Sequence, residues 1–131
     1  MGRGASAENP PETTPAAAGV FFPKQKPPEI AYDSLTRGRL VVDDEGCLRM
    51  QDHAGTTLPL WPPKYTLDTE GEEIRVRDAG GEMVAQVGER ATLGGGGVGT
   101  SIIRDDGLVD DRIEQELFER CPGNYFLVQR E

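Results

Sequence analysis

The stretch Glu73-Ile74-Arg75-Val76-Arg77, followed by Asp78-Ala79-Gly80-Gly81 and then Glu82-Met83-Val84-Ala85-Gln86-Val87, sets the texture of the chain. Ile74 and Val76 alternate with charged neighbours, which is the period of a half-buried strand. The Asp-Ala-Gly-Gly segment is turn chemistry, and a β-branched run resumes after it, so this stretch predicts a hairpin. Gly88 breaks the second run. Glu89-Arg90-Ala91-Thr92-Leu93 then predicts another strand, and the run Gly94 to Gly97 predicts a loop.

Outward from that hairpin the same grammar repeats. Arg39–Asp43 and Cys47–Gln51 flank the turn Asp44-Glu45-Gly46, and Leu48 and Met50 alternate with polar residues, so a second hairpin is expected. Thr57–Trp61 reads as an extended piece, with Pro59, Pro62 and Pro63 predicting an edge strand or a bend. One helix is expected. Asp111 is placed to cap it with Glu114 three residues on, and Ile113, Leu117 and Phe118 fall on one side. Pro122-Gly123 ends it, and Tyr125–Val128 is a closing strand. Short strands at this spacing, with one short helix before the last, predict an all-β fold. The expected form is a small OB-like or SH3-like barrel, with a small sandwich as second choice.

Six of the ten prolines lie in residues 1–34, amid Ala, Thr, Glu and Gly. Proline at this density removes backbone donors and blocks helices and ladders alike. Residues 1–34 are therefore read as a disordered Pro/Ala-rich linker and residues 35–131 as the barrel domain. Phe21 and Phe22 stand out within the linker, because burying one Phe is worth about 1.5–3 kcal/mol. They are expected either to pack onto the domain or to serve as a short docking motif.

The 131 residues suit one small domain. No apolar stretch reaches the roughly 18–20 residues that span a bilayer, so no transmembrane segment is expected. The first 38 residues carry four basic and four acidic groups, so the whole net charge of −9 falls on residues 39–131. Such an acidic surface opposes nucleic acid as a partner, since backbone binding needs basic groups.

Several short motifs stand in order along the chain: Gly38-x-Leu40, Gly46-Cys47-Leu48-Arg49, Trp61-Pro62-Pro63, Val84-Ala85-x-Val87-Gly88-Glu89, Leu93-Gly94-Gly95-Gly96 and Cys121-Pro122-Gly123-x-Tyr125-Phe126. This order, over about residues 38–128, resembles a family of short, uncharacterised bacterial envelope proteins and lipoproteins. The resemblance implies a signal or lipoprotein leader, a Pro-rich tether, a small β domain with two cysteines and an extracytoplasmic location. Met1-Gly2-Arg3-Gly4 stands where such a leader would be. The resemblance implies no activity.

The chemistry-bearing residues are few. Cys47 and Cys121 are the two cysteines. An early strand and the closing strand of a barrel can be neighbours, so a disulfide is the first expectation; it would be worth roughly 4 kcal/mol by chain entropy. Two free thiols, or a two-thiolate metal site, are the alternatives, though zinc would find only His53 besides carboxylates. Gly94–Gly99 formally matches a dinucleotide fingerprint, but no long helix is expected to start at Gly99, no βαβ unit surrounds it, and Thr100-Ser101 stands where a P-loop needs Lys-Ser/Thr. Met1-Gly2-x-x-x-Ser6 fits an N-myristoylation pattern by chance. The acidic turns Asp43-Asp44-Glu45, Asp105-Asp106 and Asp110-Asp111 lack EF-hand spacing and read as turn and cap residues.

His53 is the only histidine, and neither Ser34 nor Ser101 sits in a nucleophile elbow, so no enzyme is expected and no catalytic residue is assigned. Trp61 with Tyr65 is the most notable apolar group: a barrel plug in one reading, a ligand or partner contact in the other, together with Phe21 and Phe22. No cofactor or metal is expected. The functional expectation is a non-catalytic cell-envelope interaction or structural domain on a flexible tether, its partner a protein or envelope component. The alternative is a small-molecule or Ca²⁺-binding module.

Overall fold

The computed structural model describes residues 19–27 and 31–130. Most of the expected linker, 1–18 and 28–30, lies outside those residues. Eight strands follow in order: β1 Ser34–Val42, β2 Leu48–Asp52, β3 Gly55–Leu60, β4 Thr66–Glu70, β5 Glu73–Arg77, β6 Met83–Gln86, β7 Arg90–Val98 and β8 Tyr125–Arg130. Two helices, α1 Thr100–Asp105 and α2 Asp111–Arg120, fill the connection between β7 and β8.

Five strands close a barrel in the order β1-β2-β3-β8-β7, with β7 paired back onto β1. All neighbours are antiparallel except β3 and β8, which run parallel from Leu58↔Tyr125 to Leu60↔Leu127. This is the Greek-key closure of an OB-like barrel. The hairpin at residues 73–87 forms, but outside the barrel. Strands β4, β5 and β6 make a separate antiparallel sheet inserted between β3 and β7. Ile74 and Val76 turn inward as their alternation requires, and Val76 opposes both Leu67 and Ala85 across the sheet.

Alternation along β8 divides the core in two. Phe126 and Val128 face the barrel interior with Leu40, Leu48, Met50 and Leu93, and the inserted sheet adds Val76 and Ala85 to this group. Tyr125 and Leu127 face outward with Leu58 and Leu60 of β3, where Ile103 of α1 and Leu117 of α2 cover them. Both faces of β8 are thus buried, which explains its nearly unbroken apolar run.

Several expectations are corrected. Gly94–Gly97 is not a loop but the second half of β7, paired with β8. Glycine is required there because the neighbours occupy the space of a side chain. A Cβ on Gly95 would lie 1.8 Å from the Leu127 carbonyl oxygen, at φ +153°, and one on Gly96 would lie 2.5 Å from the ring of Tyr32. Next, β3 is not an edge: it pairs with β2 through Gly55–Thr57 and with β8 through Leu58–Leu60, and Pro59 opposes Phe126 within the second ladder. Finally there are two helices. Helix α1, with two adjacent Ile and no side-chain N-cap, shows no helical signal beyond its buried Ile103. In α2 the cap is Asp110, whose side chain accepts from the Arg112 amide; Asp111 stands in the first turn with Glu114. Leu117 is buried and Ile113 and Phe118 half-buried, as the spacing requires.

If the glycine run is a packed strand, Gly95→Ala should lower unfolding free energy by about 3 kcal/mol or more, or abolish folding, because backbone must move. Gly99→Ala, whose Cβ meets nothing within 4 Å, should be nearly neutral in the same denaturant titration.

Candidate functional site

Cys47 and Cys121 form a disulfide with Cα atoms 5.9 Å apart. It joins the start of β2 to the C-cap of α2, across 74 residues of chain, and both residues are fully buried. A network of polar side chains is built around it. Asp43 Oδ1 accepts from the amides of Glu45 and Cys47, each at 2.9 Å, which shapes the turn that delivers Cys47. Asp43 Oδ2 accepts from Arg49 Nε at 2.8 Å, and Arg49 donates on to the Pro122 carbonyl at 3.1 Å. On the helix side, Tyr125 Oη donates to the Cys121 carbonyl at 2.8 Å. Burial pushes the Tyr125 phenol pKa up, with the Arg49 charge working against it. For Asp43, burial alone would raise the pKa, but Arg49 and the two amides favour the carboxylate and hold it below 3.8.

Residues 19–27 form a strap that crosses the open end of the β2–β3 hairpin. Phe21 bridges Cys47, and Lys24 bridges Trp61 just past β3. Backbone bonds run from the Phe21 amide to Gly46, from the Trp61 amide to Pro23 and from the Gln25 amide to Trp61. Successive side chains of an extended segment point to opposite sides. Phe21 accordingly enters the helix-covered core beside the disulfide, while Phe22 joins the barrel core. Arg120 secures the strap: its guanidinium donates to the carbonyls of Glu45 and Gly19, each at 2.8 Å, and lies 5.5 Å from the Phe21 ring centroid. Gln25, 4% exposed, donates through Nε2 to the carbonyls of Leu60 and Val128.

Of the four residues read as ligand or partner contacts, Phe22, Trp61 and Tyr65 pack together in the barrel core, and Phe21 packs in the other core. Phe22 stacks on Trp61 at 5.5 Å, and Tyr65 lies 6.2 Å from Trp61 on the other side. Trp61 is fully buried, Tyr65 and Phe21 nearly so, and Phe22 keeps a half-exposed ring. Trp61 is the plug at one end of the barrel. Its indole Nε1 has no hydrogen-bond partner among the described residues.

Other candidates are dispersed. His53 is exposed at the β2–β3 turn, and Asp110 is held by its capping bond. No three of His, Cys, Asp or Glu stand together as metal ligands among the described residues. At the barrel end near the β2–β3 turn lies an open cavity of about 170 Å³, lined in part by Thr36, Met50, Asp52, Thr57 and Asn124. The sequence carries no local signal for this cavity, because its walls come from four separate segments. Gln25 and Arg120 were equally hidden, since their partners lie 101 to 103 residues away for the Val128 and Gly19 bonds.

A chain beginning at Asp33 should lose at least about 4 kcal/mol of stability or fail to fold, because both Phe side chains leave a core. Unaltered urea unfolding would show the strap to be dispensable. The Asp43 carboxylate contributes stability that is fully present above its unfolded pKa and lost as pH falls through the lower folded value. The stability difference between the native protein and Asp43→Asn should then be constant from neutral pH to about pH 4 and shrink below it. A difference unchanged at pH 2–3 would contradict that assignment.

Comparison with family models, with curated proteins and with solved structures finds no match for this chain.

Proposed function

We propose that this protein is a non-catalytic, extracytoplasmic interaction or structural domain, held at a distance from its attachment by the Pro-rich N-terminal stretch. The observation that carries this reading is the buried Cys47–Cys121 bridge. Disulfides persist in oxidising compartments and are uncommon in reducing ones. Burial of both sulfurs and the absence of any free cysteine suit a structural bond rather than an exchanging one. The likeness to short envelope proteins points the same way, and among the described residues no helix is long and apolar enough to cross a membrane.

The non-catalytic part rests on how the reactive groups are deployed. His53 stands at an exposed turn, Asp43 is bonded through both oxygens, and Phe21, Trp61 and Tyr65 are packed inside. What remains outside is an acidic surface presented by a stapled barrel, suited to a protein or envelope component. Of the second reading, a small-molecule or Ca²⁺-binding module, only the small-molecule part draws support from the open cavity near the β2–β3 turn.

Protein taken from its native host, denatured without reductant and treated with an alkylating reagent, should gain no label. Two labelled cysteines would overturn the extracytoplasmic reading.

A further inference from the structure

The end of the barrel opposite the Trp61 plug is open. Pairing between β1 and β2 begins at Arg39↔Gln51, and pairing between β3 and β8 begins at Leu58↔Tyr125. Beyond these points the first part of β1, the β2–β3 hairpin and Asn124 diverge and leave the cavity of about 170 Å³. Residues opposite one another in a ladder share a face. Thr57 opposes Met50, and Thr36 opposes Leu93. Met50 and Leu93 are buried in the barrel interior, so both threonines line the inner face of the mouth above an apolar floor.

The rim is polar. Asp52 Oδ1 is fixed by the amides of Ala54 and Gly55 at 2.8 and 3.1 Å, while Oδ2 has no partner among the described residues. The threonine hydroxyls make no hydrogen bond among the described residues either, and Asn124 Nδ2 reaches only the Thr56 carbonyl, at 3.5 Å.

From this lining we infer that the mouth binds a neutral, polyhydroxylated small molecule of monosaccharide size. The volume equals that of about five or six waters at ~30 Å³ each, enough for one ring. Mouths of β-barrels are common places for such sites. Among the described residues no Lys or Arg lines the cavity, which disfavours anions, and the single carboxylate among them is too few for a divalent cation. Hydroxyls both donate and accept, a free carboxylate oxygen accepts, and Met50 with Ala54 offers a surface for C–H groups. The site goes beyond the interaction-domain reading: neither compartment nor thiol state enters it.

Backbone amide NMR of the full chain, titrated separately with glucose, N-acetylglucosamine and glycerol, tests the proposal, with phosphate and acetate as charged comparators. At least one of the three hydroxylated probes should give saturable shifts confined to Thr36, Asp52–Thr57 and Asn124, with a Kd on the order of 1 mM. Thr57→Val, of the same shape without the hydroxyl, should weaken that binding about tenfold or more at an unchanged Tm; Asn124→Ala, at an exposed position, provides the second variant. Absence of saturable shifts with all three probes, undiminished binding in both variants, or equal shifts with phosphate or acetate would overturn it.

Discussion

The covalent bond between Cys47 and Cys121 fixes the one place where the barrel, the helices and the N-terminal strap all meet. Without it, α2 would rest on the outer face of β3 and β8 through side chains alone, principally Leu117 with Ile113 and Phe118 beside it. With it, the C-terminus of α2 is tied to the first residue before β2. The chain-entropy contribution of a loop of this size is roughly 4 kcal/mol, a large fraction of the stability of a domain this small. Asp43, Arg49 and Arg120 are arranged so that the backbone on both sides of the sulfurs is bonded as well.

The strap extends this junction to the opposite core. An isolated pair of Phe residues in a Pro-rich stretch has two ways of leaving water: both rings on one surface, or one on each side. Extended geometry selects the second, so Phe21 lies by the disulfide and Phe22 by Trp61. Pro23 has no amide proton to leave unsatisfied, and its carbonyl accepts from Trp61. Gln25 then supplies donors to Leu60 and Val128, at the end of the β3–β8 ladder. The segment acts as a short extra strand that seals a seam between two hydrophobic cores.

Local periodicity made the β1–β2 hairpin, the β5–β6 hairpin, α2 and β8 legible in the sequence, because each states its buried face by spacing alone. The place of β5–β6 in a separate sheet is not legible, because alternation reports one buried face, not which sheet it is buried against. The glycine run misled because glycine enrichment in loops and glycine in a crowded strand leave the same letters; only the Leu127 carbonyl and the Tyr32 ring distinguish them. Helix α1 was invisible because its six residues are held by tertiary burial of Ile103 rather than by propensity. Of the candidate site, the cysteines and the aromatic residues could be named in advance. Their use as staple and plug depended on contacts made at long range, and the barrel mouth depended on four segments that no local pattern connects.

Disulfide and strap join the two cores into one cooperative unit. Urea unfolding of the oxidised chain, followed at once by Trp61 emission for the barrel core and by the Leu117 amide signal for the helix-covered core, tests it most directly. A single transition with the same midpoint by both probes is the predicted result. Loss of the Leu117 signal at lower urea, with Trp61 still in its native environment, would contradict it.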